Sequence, residues 1–393
     1  MIDYQKYINK FNRIYLIFLM KSYKISDIEN KRILGRTTPI EKDKPLILFW
    51  AASALELNVK SNEVYILISS NYDQFEPWIS VYINGRPISR FLVEKGEPKW
   101  VCIARNLNIE KENLISIYKD TQPMPDDKTH SLFIHEVGLS EGGTFLPPTP
   151  RKLKIEFVGD SITSGEGLAG APDEWDWIPQ HFDGSCTYAA QTARKLNADF
   201  SVVSQCGWGI CWAWDGNRNN KIPPFYEQIC GVCGSDYQKS LGSQKPNDFK
   251  GGSDFVIVNL GTNDNGAFYQ PPWQNDDKYK LTLNEDGKVS QKDSQIIING
   301  VKDFLKIIRR NNPKAIIVWI WGMIKLQLVP PLIQIAIEEY IFESGDKRVY
   351  TLELDGMEDV EKIDEDKGSR GHPGPKTHLL AAYKLSDFIK NPC

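Results

Sequence analysis

Four short stretches hold the residues that could do covalent chemistry: Ser161 in FVGDSITSGEG, Gly207 in SQCGWG, Asn263 in NLGTND and His372 in RGHPGPKTH. A serine hydroxyl is a weak nucleophile until a base within hydrogen-bond reach takes its proton, and a histidine can be that base. An acyl-transfer transition state then needs donors aimed at its developing oxyanion. Suitable donors are a backbone N–H just after a strand, a second from a glycine that lets substrate approach, and a side-chain amide. Ser161, Gly207 and Asn263 are the matching residue types for an oxyanion hole, and His372 is the matching base. The chemistry is nucleophilic acyl transfer, a scheme that needs no metal and no organic cofactor.

These residues can cooperate only if the elements before them end at one place. Apolar runs at 153–158 (LKIEFV), 200–204 (FSVVS), 255–260 (FVIVNL), 315–321 (AIIVWIW) and 348–354 (RVYTLEL) alternate with helical segments at 185–197, 294–312 and 375–391. Near-continuous apolar strands separated by amphipathic helices predict a parallel sheet covered on both faces, an α/β fold. Ligands of such sheets bind beyond the carboxyl ends of the strands. Ser161, Gly207 and Asn263 directly follow the first three strands, and His372 comes after the last, so all four converge on one edge.

The chain before residue 150 reads differently. EVYILIS (63–69), WISVYINGRPIS (78–89), KWVCIA (99–104), NLISIY (113–118) and SLFIHEV (131–137) are short, rich in β-branched and aromatic residues, and separated by turn residues. Asn84-Gly85 is a type I′ hairpin signal. Strands in series without helical periodicity predict a β-sandwich. EGGTFLPPTP (141–150), with three prolines and two glycines, reads as the linker. The expected domains are therefore a β-sandwich over 1–145 and an α/β domain over 146–393.

The blocks FVGDSITSGEG, the glycine of SQCG, NLGTND and GHP, in this order and spacing, resemble those of the SGNH (GDSL-like) hydrolases. The resemblance covers roughly 150–393 and implies a three-layer α/β/α domain with serine esterase or deacetylase activity. A β-sandwich ahead of such a domain, with LFWAASALELNV (48–59), is similar to the jelly-roll module of the second carbohydrate esterase family. That family implies removal of O-acetyl groups from cell-wall sugars of the xylan and glucomannan type, with preference for the primary 6-hydroxyl of hexose units. In many of these hydrolases an aspartate three residues before the histidine completes a triad, whereas position 369 here is serine. The resemblance then implies a Ser161–His372 dyad whose imidazole is oriented by a backbone carbonyl. Asp364, Glu365 and Asp366 are the acids close enough in sequence to substitute.

Simpler roles compete at several of these positions. Ser161 could merely cap the segment that follows it. Gly209 is the alternative to Gly207, and Asp264 is expected to stabilise its own turn. Ser140 in GLSEG matches G-x-S-x-G, but GTFLPPTP after it cannot form the helix that a nucleophile elbow requires. His130 and His135 fall in the sandwich, His181 in a loop and His378 inside the last helix, all expected to be structural. Trp208, Trp212, Trp214 and Trp273 are either core residues or a platform for a sugar ring, and Trp175 and Trp177 carry the same ambiguity.

With 47 basic and 51 acidic residues in 393, the net charge of -4 gives no reason to expect nucleic acid or an anionic membrane as partner. The expected partner is an acetylated oligo- or polysaccharide. Between Arg13 and Lys21 lie only seven apolar residues without a cleavage site, so this segment reads as a strand or helix rather than a signal peptide. The implied substrate points outside the cell. Seven cysteines form no disulfide framework, and Cys206, Cys211, Cys230 and Cys233 cluster loosely as thiols, a disulfide or a zinc site. Two other functions use the same residues: an esterase, lipase or thioesterase acting on another short-chain ester, and a carbohydrate-binding protein with an idle site.

Overall fold

The computed structural model describes residues 20–273, 279–360 and 366–392. The segment 13–21 therefore lies mostly outside the described residues. From Met20 the chain runs through β1 (Met20–Lys24), β2 (Arg32–Leu34), β3 (Leu46–Ile47), β4 (Ala54–Lys60), β5 (Val64–Asn71), β6 (Trp78–Ile83), β7 (Arg86–Leu92), β8 (Lys99–Ala104), β9 (Asn113–Lys119), β10 (Ser131–Ser140) and β11 (Thr144–Leu146). They form two sheets, β1-β10-β5-β8 with β3 on β10, and β11-β4-β9-β6-β7 with β2 on β4, all pairings antiparallel. Alternation sets the interior: Leu55, Leu57 and Val59 of β4 meet Ile66 and Ile68 of β5 and Ile115 and Ile117 of β9 in one core. The β6–β7 turn has positive φ at both Asn84 (53°) and Gly85 (78°), as a type I′ turn requires. The 141–150 segment is not wholly a connector. Thr144–Leu146 pairs with Asn58–Lys60, a strand too short, between glycines and prolines, to stand out in the sequence.

The second half holds β12 (Lys154–Gly159), α1 (Ser161–Ser164), α2 (Tyr188–Leu196), β13 (Asp199–Ser204), β14 (Phe255–Asn259), α3 (Thr262–Ala267), α4 (Gln291–Asn311), β15 (Ile316–Trp321), α5 (Pro330–Ser344), β16 (Val349–Glu353) and α6 (Pro375–Lys390). The five strands are parallel in the order β13-β12-β14-β15-β16. Successive residues feed opposite faces. Ile155, Phe157, Ile257, Val318 and Ile320 pack with α2 and α6, while Val158, Val256, Val258, Ile317 and Trp319 pack with α4 and α5. The result is a three-layer α/β/α domain. The chain leaves β12 for β13 on one side and later returns to β14 on the other, so the crevice between the β12 and β14 loops is the switch point where ligands of such sheets sit.

The two halves share their cores. Ile47, Phe49 and Trp50 belong to the α4/α5-side cluster, and Leu34, Ala52, Ala54, Tyr82 and Tyr118 to the α2/α6-side one. Arg36, from the sandwich, donates from Nε and Nη2 to Glu156 Oε1 on β12 at 3.1 and 2.9 Å, and both side chains are buried.

Candidate active site

β12 delivers Ser161 through a tight turn. A Cβ at Gly159 would fall 2.0 Å from Thr163 Oγ1, so only glycine fits. Asp160 then caps α1, its Oδ1 accepting from Ile162 N at 3.1 Å, and burial pushes its carboxyl up to about 7. Ser161, the first residue of α1, is nearly buried. Its Oγ lies 2.9 Å from His372 Nε2.

Beyond β13, Gly207 adopts φ 75° and its carbonyl accepts from Trp214 N at 2.9 Å, closing the 207–214 loop. Asp264 holds that loop from α3. Its carboxylate accepts from the N–H groups of Ile210, Cys211 and Trp212 at 2.8, 2.7 and 3.0 Å, which offset only part of the effect of burial, so its carboxyl stays above the usual carboxylate range. Asp264 thus organises the neighbouring loop and not only its own turn. A Cβ on Gly209 would sit 2.2 Å from Asp264 Oδ2, which makes Gly209 a packing glycine. After β14, Gly261 (φ 127°) turns the chain into α3, and Asn263 donates from Nδ2 to Trp208 O at 3.0 Å. The amide keeps a second hydrogen for other use.

Ser161, Gly207, Asn263 and His372 all line one cleft of about 730 Å³. Trp208, Trp214 and Trp177 line it too, and so do Phe75, Gln122, Met124, Pro125 and Asp126 from the sandwich. Phe75 meets Trp177 edge-on at 4.9 Å, and Gln122 Oε1 accepts from Cys206 N at 2.8 Å, beside Gly207. The sandwich therefore forms part of the cleft wall, which no motif announced. Glu166 and Arg370 also line the cleft. Their only signals were a glycine on each side of Glu166 and the two-residue distance of Arg370 from His372.

Of the four tryptophans left open between core and platform, Trp212 belongs to the core. Trp212 is 1% exposed and packs edge-on against Phe268, a core residue with no face for a ligand. Trp273, half-buried, lies against Gly216, the residue after Asp215 of the cleft lining, but is not itself part of that lining. Trp214 is 54% exposed, whereas Trp208 is buried to its edge and tilted against Phe225. Trp175 stands in solvent outside the lining.

Around the imidazole the acids differ from expectation. Asp364 and Glu365 lie outside the described residues. Asp366 caps α6, its Oδ2 accepting from Thr377 N and Oγ1 at 2.6 and 2.9 Å, so it is committed away from His372. Ser369 Oγ instead meets His181 Nδ1 at 3.3 Å. His372 Nδ1 is buried without a hydrogen-bond partner among the described residues, so no carbonyl holds it there. His378 Nδ1 accepts from Tyr188 N at 3.0 Å, and His135 Nε2 pairs with Ser69 Oγ at 2.8 Å, both outside the cleft lining, as is the buried His130. Ser140 ends β10, hydrogen-bonded with Ser61, and forms no elbow. Cys206, Cys211, Cys230 and Cys233 are free thiols. Among the described residues no group of three or more His, Cys, Asp or Glu side chains is placed to hold a metal ion. Nor, among them, is any helix long and apolar enough to cross a membrane.

A β-sandwich leading into a three-layer α/β/α domain, with Ser161 after the first strand and His372 before the last helix, defines the class: a two-part hydrolase of the SGNH type. The GDSL-like lipase/acylhydrolase family matches residues 157–343, and the chain belongs to that family. The acetyl xylan esterase Est2A from the rumen bacterium Butyrivibrio proteoclasticus superposes with a TM-score of 0.89 at 35% identity, covering 95% of this chain and 98% of that one. A family two carbohydrate esterase from Clostridium thermocellum, solved with cellohexaose, superposes with a TM-score of 0.73 at 24% identity over 92% and 98% of the chains, a likeness of fold. The cellulase/esterase CelE of Acetivibrio thermocellus is 26% identical over 347 residues, 87% of this chain but 37% of CelE, so the chain spans little over a third of that relative's length.

Proposed function

We propose that this chain is a serine esterase that removes O-acetyl groups from carbohydrate. The observation that carries the reading is the 2.9 Å contact between Ser161 Oγ and His372 Nε2, on a cleft walled by aromatic side chains from both halves. His372 takes the hydroxyl proton as Ser161 attacks the acetyl carbonyl. The oxyanion is met by the N–H groups of Ser161 and Gly207 and the amide of Asn263. His372 then gives its proton to the sugar oxygen as it leaves, and water repeats the cycle on the acetyl-enzyme. The Ser161–His372 pair works as a dyad in this scheme.

The kinship with an acetyl xylan esterase at 35% identity supports acetyl as the acyl group and a plant polysaccharide as the carrier. Trp214 and Trp177 supply flat apolar faces suited to sugar rings, with the edge of Trp208 and the polar Gln122, Asp126 and Asn220 beside them. On hexose units the unhindered primary 6-hydroxyl is the proposed position of attack.

Acetate release from acetylated glucomannan, acetylated xylan and 4-nitrophenyl acetate tests the reading. Release from the polysaccharides that falls by at least about 10³-fold in Ser161→Ala supports it. Release from the small ester alone moves the substrate elsewhere. Sugar binding without release from any of them makes the chain a carbohydrate-binding protein.

A further inference from the structure

Among the described residues, the carboxylate nearest the imidazole comes from the serine turn itself. Glu166 is 5% exposed and stands between two left-handed glycines, Gly165 (φ 82°) and Gly167 (φ 75°). Neither glycine has room for a side chain: a Cβ would meet Asp183 O at 2.6 Å and Ser369 O at 2.4 Å. Glu166 N donates to Ser161 O at 3.0 Å, and Ser369 N donates to Gly167 O at 2.9 Å, so the serine turn clasps the histidine loop. Glu166 Oε1 accepts from Arg370 Nε at 3.0 Å, and Oε2 lies 3.6 Å from His372 Nε2. Arg370 has φ 57°, a left-handed conformation that is strained for an arginine and of a kind that clusters at functional sites. Its N–H to Glu174 O (2.9 Å) and its Nη1 to Trp175 O (2.8 Å) hold it there.

We propose that Glu166, anchored by Arg370, is the positioning residue that gives the Ser161–His372 pair the negative charge a third triad member would supply from Nδ1. The inference rests on the esterase reading above. As the Ser161 Oγ electron pair forms the bond to the acyl carbon, the carbonyl π pair moves to oxygen and the Oγ proton moves to His372 Nε2. The imidazolium so formed faces Glu166 Oε2 in a buried site, where charges interact far more strongly than in water. Arg370 occupies the other carboxylate oxygen and fixes which one faces the ring. The attraction exists only once the ring is charged, so it acts on kcat and not on KM.

The test is the rate at which a fluorophosphonate inactivates the full chain, since that reagent reports the activation of Ser161 whatever the natural ester. Glu166→Gln is expected to slow inactivation by about 10- to 100-fold, with an equal fall in kcat on 4-nitrophenyl acetate and KM unchanged. Glu166→Asp, which keeps the charge, should recover part of the loss. In a His372→Ala background Glu166→Gln should change nothing further. A Glu166→Gln rate equal to wild type, or an equal loss in both backgrounds, overturns the proposal and leaves the esterase reading standing. A wild-type chain that the reagent does not label overturns both. Thermal melts screen each variant for folding, and Arg370→Gln, which releases Glu166 without removing it, should slow the same rate if Glu166→Gln does not fold.

Discussion

Asn263 is the residue whose contribution is most separable from folding. It sits in the first turn of α3, its Nδ2 reaching Trp208 O while the residue lines the same cleft as Ser161 and Gly207. Loss of one oxyanion donor typically lowers kcat by about 10²- to 10³-fold. Asn263→Ala is therefore expected to lower kcat on 4-nitrophenyl acetate within that range, with KM nearly unchanged. A fall confined to KM would place the amide on the sugar and not on the oxyanion. That Ser161, Gly207, Asn263 and His372 meet at one cleft was legible because each lies on the first turns beyond a strand or just before the last helix, where sequence order alone predicts convergence. Glu166 was not, because a glutamate in a glycine-bordered turn looks like a solvated residue until the histidine loop closes over it. Trp212 stayed open between core and platform for the converse reason: a tryptophan beside cleft residues can point either way, and the three backbone bonds to Asp264 turn this one inward.

At the scale of elements, the five parallel strands and the helices α2, α4 and α6 were readable within a few residues of their ends, because apolar runs and amphipathic periods are local properties. β1, β2, β3 and β11 were not, since strands of two to five residues exist through their partners and not through their own pattern. α6 shows how an element near the site sets the response to acid. His378 lies inside this helix, fully buried, with Nδ1 accepting from Tyr188 N at the start of α2. Burial first, then the nearby His372, lower its pKa from 6.5 to about 3. The folded state therefore keeps His378 neutral while the unfolded chain protonates below about 6.5. Its stabilising contribution is present above that pH and is lost progressively as pH falls toward 3. Urea denaturation midpoints should fall over that window. His378→Asn, whose Oδ1 can still accept from Tyr188 N, should flatten the slope. An unchanged slope would assign the acid sensitivity to other groups, of which buried His130, shifted in the same direction, is the first.

For the whole molecule, the change in sequence pattern near residue 150 marks two architectures, yet composition holds no record of how deeply they join. Trp50 donates from Nε1 to Ile229 O at 2.6 Å across the junction, and Gly35 N bonds Phe200 O on β13 at 3.0 Å. The deepest link is polar. Glu156 accepts from Arg36, from Ser201 Oγ at 3.0 Å and from the Tyr226 hydroxyl, while the guanidinium stacks 4.8 Å from the Tyr226 ring and reaches the carbonyls of Tyr226 and Gln228. A buried ion pair adds little over a well-packed apolar substitute, but losing one partner strands the other charge, at about 3–5 kcal/mol. Glu156→Gln is expected to destabilise the chain by that amount, and the double variant Glu156→Gln/Arg36→Met by less. Because shared cores couple the halves, both should unfold in one transition, with tryptophan fluorescence and far-ultraviolet circular dichroism tracing the same urea curve. Two separated transitions, with the sandwich surviving the first, would mean that the halves fold independently. The sandwich loops carrying Phe75 and Gln122 would then be a wall placed by docking and not by a common core, and the cleft would be lost at the first transition.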